Sequence, residues 1–223
     1  MITLNDKNNQ YSDGFTKYIY TNENSLSRDF CDKVIELYDK YDKSDKRPGQ
    51  TISGVNPLVK TTTDLVTYDA MWSDFNITLS NELISNISIY SELLQHDDYK
   101  GSNNNTSGEI NYKVIDPLKI VRNSHFMIQK YQKNVGRYIY HNDYLVTSNY
   151  ENRIITYLWY LNDVVEGGET AFSGTYNIRP RCGTLLLFPA CWTFPHCGKM
   201  PISSDKYIIT GWIYENAALE KRP

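Results

Sequence analysis

From residue 110 onward the chain reads as one strand after another, and this run restricts the fold more than any other feature of it. Segments 125–132, 137–141, 154–161, 169–172, 184–188 and 207–214 are rich in β-branched and aromatic residues and are separated by turn formers. The first half reads differently. Ser25 or Ser27 can cap a helix in which Phe30, Val34, Leu37 and Tyr38 recur at helical spacing. A second helix is expected from about 70 to 94, with Trp72, Phe75, Leu79, Leu83, Ile87, Tyr90 and Leu94 on one stripe. That stripe reads as core packed on one face of a sheet. Helices first and strands afterwards imply a mainly β protein, with a jelly-roll-like or cupin-like core buttressed by α-helices.

The connections are less definite. Tyr18-Ile19-Tyr20 is a candidate first strand, and 42–49 reads as a solvated loop ending the first helix. Lys60-Thr-Thr-Thr-Asp64 is a β-prone polar run, expected at an exposed sheet edge or on the rim of a site. The Asn-, Ser- and Gly-rich stretch 97–108 is a tolerated insertion in preference to a lid. With 223 residues the expectation is one domain, residues 1–109 supporting a core at 110–216.

Composition removes several classes of function. A formal charge of −3 provides no general attraction to nucleic acid or to an anionic membrane. No apolar run is long enough to span a bilayer. The first residues have neither the basic head nor the apolar core of a secretory signal. Cys31, Cys182, Cys191 and Cys197 form no Cys-x-x-Cys pair, which argues against a zinc ribbon and for reduced thiols in the cytoplasm. Richness in Tyr, Asn, Lys and Ile suggests an AT-rich source such as a virus, a phage or a low-GC microbe.

The chemistry concentrates between Tyr131 and Trp212. His141 and Asp143 stand two apart, so in an extended segment both leave the same face. With a distant histidine such as His196 they would form the two-imidazole, one-carboxylate set of a non-haem Fe(II) site. His-x-Asp alone is a weak signal, and His196 alone could be an ordinary loop histidine. His125 is expected on a strand as a core or rim residue, and His96 has no supporting context.

Around the pair stand Arg153-Ile-Ile-Thr156, Glu166-Gly167-Gly168-Glu169-Thr170, the strand Gly183-Thr-Leu-Leu-Leu-Phe188, and then Pro195-His196, Lys206, Thr210 and Trp212. This order resembles the prolyl 4-hydroxylase family of Fe(II)- and 2-oxoglutarate-dependent dioxygenases over roughly the C-terminal half. The resemblance implies a double-stranded β-helix core with His141, Asp143 and His196 on Fe(II). It implies 2-oxoglutarate and O2 as co-substrates, with ascorbate as an accessory reductant. Lys206 would take the far carboxylate of 2-oxoglutarate, Tyr131 would help to hold it, and Thr210 would be a nearby donor. Arg153 matches an arginine beside the bound peptide, although an exposed strand-start arginine is nearly as good a reading. Trp212 would wall the pocket or simply pack, and Tyr140 would line its mouth. The Gly-Gly pair is a tight turn.

Two departures touch the substrate side. The family's proline usually lies four residues after the second histidine, whereas Pro201 lies five after His196, and the loop ahead of Pro180 is short. The implied reaction is hydroxylation of a prolyl residue in a peptide or protein, with 2-oxoglutarate converted to succinate and CO2. Hydroxylation of a free amino acid or another side chain is the alternative. A β-helix module that binds a partner without catalysis is the rival from another class.

Overall fold

The computed structural model describes residues 14–42, 44–95 and 120–216. The 97–108 stretch and His96 lie outside the described residues. Helix α1, Arg28–Lys40, starts where the Ser27 hydroxyl accepts the Phe30 N–H, with Asp29 in its first turn and Lys40 in its last. Cys31, Val34 and Tyr38 form its buried face. A 3-10 turn, Ala70–Trp72, runs directly into α2, Ser73–Gln95. Trp72, Leu79, Leu83, Ile87 and Tyr90 are buried, with Phe75 and Leu94 packed at the margin, so the stripe faces inward as its spacing requires.

The strands in chain order are β1 Tyr20–Asn22, β2 Arg47–Pro48, β3 Gln50–Thr51, β4 Gly54–Val55, β5 Lys60–Thr61, β6 Thr63–Val66, β7 Ile120–Asn123 and β8 Met127–Tyr131. They continue as β9 Arg137–His141, β10 Glu151–Tyr160, β11 Thr170–Phe172, β12 Tyr176–Ile178, β13 Leu185–Pro189, β14 His196–Gly198 and β15 Lys206–Asn216. Eight described strands form a large sheet in the order β1-β13-β10-β15-β8-β6-β2, with β7 also on β15. Five form a second sheet, β12-β11-β14-β9-β5, while β3 and β4 make a separate hairpin. All the pairings are antiparallel. The architecture is a double-stranded β-helix with two helices packed on its larger sheet.

Alternation along the large sheet separates two environments. Ile128, Ile155, Tyr157, Trp159, Leu161, Leu185, Leu187, Tyr207, Ile209 and Ile213 join the helices in one core. The intervening residues Tyr131, Leu158, Tyr160, Leu186, Phe188 and Ile208 face the second sheet. Period-two alternation allows this because successive side chains leave opposite faces. The Phe172 and Phe188 rings meet edge-on at 4.9 Å and join the two sheets.

Several expectations need correction. Thr16–Tyr18 is a 3-10 turn closed by Tyr18 and Ile19 N–H bonds to Phe15 and Thr16, so the first strand begins at Tyr20. Arg47 and Pro48 lie in a strand within the supposed loop. In the 60–64 run, β5 is the edge strand of its sheet and Lys60 and Asp64 line the cavity, as expected, but these two side chains are buried, 4% and 8% exposed, where they pair with one another. His125 precedes its strand and is exposed, its ring against Tyr68 at 4.5 Å. No described helix is long and apolar enough to cross a membrane.

Candidate metal centre and its cavity

His196 on β14 lies directly opposite His141 on β9, and Asp143 follows β9 by two residues. Their potential ligand atoms lie within 4.8 Å of one another. His141 Nε2 is 3.7 Å from Asp143 Oδ1, and His196 Nε2 is 3.6 Å from Oδ2. These separations are longer than hydrogen bonds. They suit groups arranged around a common ion at about 2.1 Å from each ligand.

The backbone sets both tautomers in the same way. His141 Nδ1 is 2.8 Å from the Ile139 carbonyl, and His196 Nδ1 is 3.0 Å from the Phe194 carbonyl. A carbonyl can only accept, so each Nδ1 carries the proton and each Nε2 presents a lone pair. Burial, and after it the neighbouring His196, push the His141 pKa down to about 4. Burial raises the Asp143 carboxyl, but His196, His141 and the Thr156 hydroxyl outweigh it and leave the group below its ordinary range. Thr156 Oγ1 donates to Asp143 Oδ2 at 2.8 Å. His141 is therefore a neutral imidazole and Asp143 an anionic carboxylate near neutral pH, and His196 completes a set of two imidazoles and one carboxylate. That donor set fits Fe(II).

The cluster opens into a cavity of about 560 Å³. Lys206, only 1% exposed, stands in its wall. Its register partner on β8 is Tyr131, and its ammonium lies 3.9 Å from the centre of that ring. Nζ donates to the Gly168 carbonyl at 2.9 Å and pairs with no carboxylate among the described residues. Gly167 and Gly168 have φ of +72° and +75°, conformations open to glycine, and this turn aims the carbonyl. Burial lowers the Lys206 pKa to about 7. A buried ammonium without a counter-charge is costly, and an anionic ligand would relieve that cost. Thr210 also lines the cavity, but its hydroxyl donates to the Tyr157 carbonyl of the neighbouring strand at 2.9 Å.

Elsewhere in the cavity wall the structure brings Arg153 and Trp212 together. The guanidinium lies 3.6 Å from the centre of the Trp212 ring, and its Nε donates to the Tyr214 hydroxyl at 3.2 Å. Both residues line the cavity. A β-bulge between Arg153 and Ile155 places Arg153 opposite Tyr214 and Ile155 opposite Ile213. Tyr140 is not brought to the cavity. It is half exposed on the outer side of β9, where its hydroxyl accepts the Gly174 N–H.

Sequence reasoning missed several lining residues. Thr156 stands in the quoted Arg-x-x-Thr motif, and its place opposite Trp212 could have marked it. Tyr138 had no signal: its ring lies flat against His141, centroids 3.4 Å apart and planes 14° apart. An extra residue on β9 between the His141–His196 and Tyr138–Gly198 pairings allows residues three apart to meet in this way. Lys60, Asp64 and Gln129 are buried in the same wall, and Ile52 and Tyr68, both largely exposed, mark its mouth.

Residues 126–214 match the model of the 2OG-Fe(II) oxygenase superfamily. Among solved structures, a prolyl hydroxylase from Trichoplax adhaerens in complex with a hypoxia inducible factor oxygen degradation domain peptide fragment has a TM-score of 0.68. Its identity is 22%, covering 93% of this chain and 89% of that one. The viral collagen prolyl hydroxylase of Paramecium Bursaria Chlorella virus-1, in a 2-oxoglutarate complex, gives 0.57 at 18% identity, covering 89% and 96%. A Pseudomonas putida prolyl-4-hydroxylase gives 0.58 at 13% identity, covering 89% and 92%. At such identities the likeness is one of fold. No curated protein matches the chain by sequence.

Proposed function

We propose that this 2OG-Fe(II) oxygenase hydroxylates a prolyl residue of a peptide or protein, holding iron on His141, Asp143 and His196 and 2-oxoglutarate on Lys206. One observation carries the reading: the three-ligand cluster and a buried, uncompensated ammonium line the same cavity. Bound there, Fe(II) with 2-oxoglutarate and O2 supplies C–H hydroxylation, in which 2-oxoglutarate ends as succinate and CO2 and one oxygen atom enters the substrate.

The chain's own residues bind, orient and exclude water. Asp143 supplies one negative charge, and the Thr156 hydroxyl and the two backbone carbonyls fix how the ligands point. Lys206 draws the far carboxylate of the co-substrate inward, its ammonium held over the Tyr131 ring, whose hydroxyl donates to Gln129. Thr210 contributes shape at this end, since its hydrogen is already committed to the sheet.

The choice of a prolyl residue draws on the cavity wall and on the prolyl hydroxylase neighbours. Tyr138, Trp212, Met127 and Leu158 offer aromatic and apolar surface to a pyrrolidine ring. Arg153, held over the Trp212 ring, keeps terminal N–H groups for a peptide carbonyl or carboxylate. A peptide would enter past Ile52 and Tyr68. Four unpaired cysteines support a reducing compartment such as the cytoplasm.

Incubating the protein with Fe(II), 2-oxoglutarate, O2 and a panel of proline-containing peptides tests the reading by succinate formation and by peptide mass. The expected result is succinate in step with a mass gain of one oxygen atom, both absent in His141→Ala. Succinate without oxygen gain on any peptide would retain the oxygenase and overturn the prolyl substrate. Iron binding without succinate would point to the non-catalytic module.

A further inference from the structure

Lys60 and Asp64 place a complete pair of opposite charges in the wall of the cavity, with Nζ 2.8 Å from Oδ2. Burying an ion pair is often no more stabilising than filling the same space with apolar side chains. Stability therefore gives little reason for this one. Its position gives a better reason. Lys60 lies on β5 in the smaller sheet, in register with Tyr138 of β9. Asp64 lies on β6 in the larger sheet, in register with Gln129 of β8. The chain crosses between the sheets within these few residues, and the ion pair clasps the crossing.

Each end of the clasp leads to one half of the site. Lys60 Nζ lies 5.4 Å from the centre of the Tyr138 ring, which itself lies flat on His141 at 3.4 Å. Asp64 Oδ2 also accepts Gln129 Nε2 at 3.3 Å, and Gln129 Oε1 accepts the Tyr131 hydroxyl at 3.4 Å. The Tyr131 ring then carries the Lys206 ammonium at 3.9 Å. One line of contacts thus runs from a metal-cluster imidazole to the uncompensated cation.

We propose that Lys60, Asp64 and Gln129 are positioning residues that fix the metal centre and the co-substrate anchor relative to one another. The ion pair acts through Tyr138 on His141, and Gln129 acts through Tyr131 beside Lys206. This rests on the dioxygenase reading and names residues outside its chemistry. The test separates the two arms by binding rather than turnover. Fe(II) is titrated without oxygen into wild type, Gln129→Leu and the double variant Lys60→Met/Asp64→Leu, and 2-oxoglutarate is then titrated into each Fe(II)-loaded protein.

The double variant should melt no lower than wild type, because an apolar pair replaces a charged one. Its Fe(II) Kd should nonetheless rise about tenfold, the scale on which groups behind a metal ligand act. Gln129→Leu should leave the Fe(II) Kd unchanged and raise the 2-oxoglutarate Kd about fivefold, as expected for one hydrogen bond. Wild-type constants in the double variant would overturn the proposal. So would a Gln129→Leu variant that shifts Fe(II) as much as 2-oxoglutarate. If the double variant does not fold, the Gln129→Leu split decides. Wild type that binds Fe(II) but no 2-oxoglutarate would instead bring down the dioxygenase reading, and this inference with it.

Discussion

The two faces of the large sheet are built from the same strands and differ in almost everything else. On β15, Tyr207, Ile209 and Ile213 enter the helix-side core, while Lys206, Ile208, Thr210 and Trp212 line the cavity. On β10, Ile155, Tyr157, Trp159 and Leu161 face the helices, while Thr156 and Leu158 face the cavity. One face is mostly apolar and closed. The other carries a threonine bonded to the Asp143 carboxylate and a lysine that pairs with no carboxylate among the described residues. Alternation thus lets a strand hold the fold together with one set of residues and spend the other set on binding. The helix side stabilises, and the cavity side gives up stability for function.

Substitutions on the two faces should therefore separate function from stability. The largest effect is expected for His141→Ala, which removes one of three ligands: succinate formation should fall to background, while the iron-free protein melts close to wild type. Trp159→Ala on the other face should do the reverse. It empties a fully buried site and removes the Nε1–H bond to the Ser25 hydroxyl. A loss of about 3–5 kcal/mol is expected in urea unfolding, with the 2-oxoglutarate Kd of the remaining folded protein unchanged.

Lys206→Met should move the two quantities in opposite directions. Saturation by 2-oxoglutarate should be lost, while the ligand-free protein gains a few degrees in Tm because a lone buried charge is gone. The pH dependence follows from the same group. Its folded pKa of about 7 lies below the ordinary lysine value of 10.5, so between these limits the unfolded chain binds more protons than the folded one. The Lys206 contribution to stability must then rise with pH across that window and level off above it. Urea unfolding of the ligand-free protein at several pH values should show this rise in wild type and its absence in Lys206→Met. Thr156→Val should have the smallest effect. It keeps the side-chain shape and removes one donor to Asp143, raising the Fe(II) Kd about tenfold with little change in Tm.

Much of this division was legible in the sequence. The helix stripes through Val34 and Leu79, the strand run after residue 110, and the His141-x-Asp143 pair depend on local spacing or on residue type, while His196 and Lys206 are assigned through the family resemblance. Where local pattern alone misleads, an extra residue or a remote partner intervenes. Uninterrupted pleating would put Arg153 on the same face as Ile155, two residues away, but the bulge between them turns it to the face of Tyr214. The irregularity in β9 likewise brings Tyr138 onto His141, while Tyr140 is left on the outside. The Lys60-to-Asp64 run is expected at a sheet edge or a site rim, and nothing nearby in sequence shows that both charged ends are enclosed.

The sequence by itself determined the secondary elements, their apolar faces and the chemical inventory of the site, since periodicity and side-chain type are local properties. Tertiary structure decided which face each irregular residue serves and which charges meet in the interior. A bulge shifts the phase of alternation only through its pairing with another strand. A buried charge likewise persists only where a distant strand closes over it and its partner.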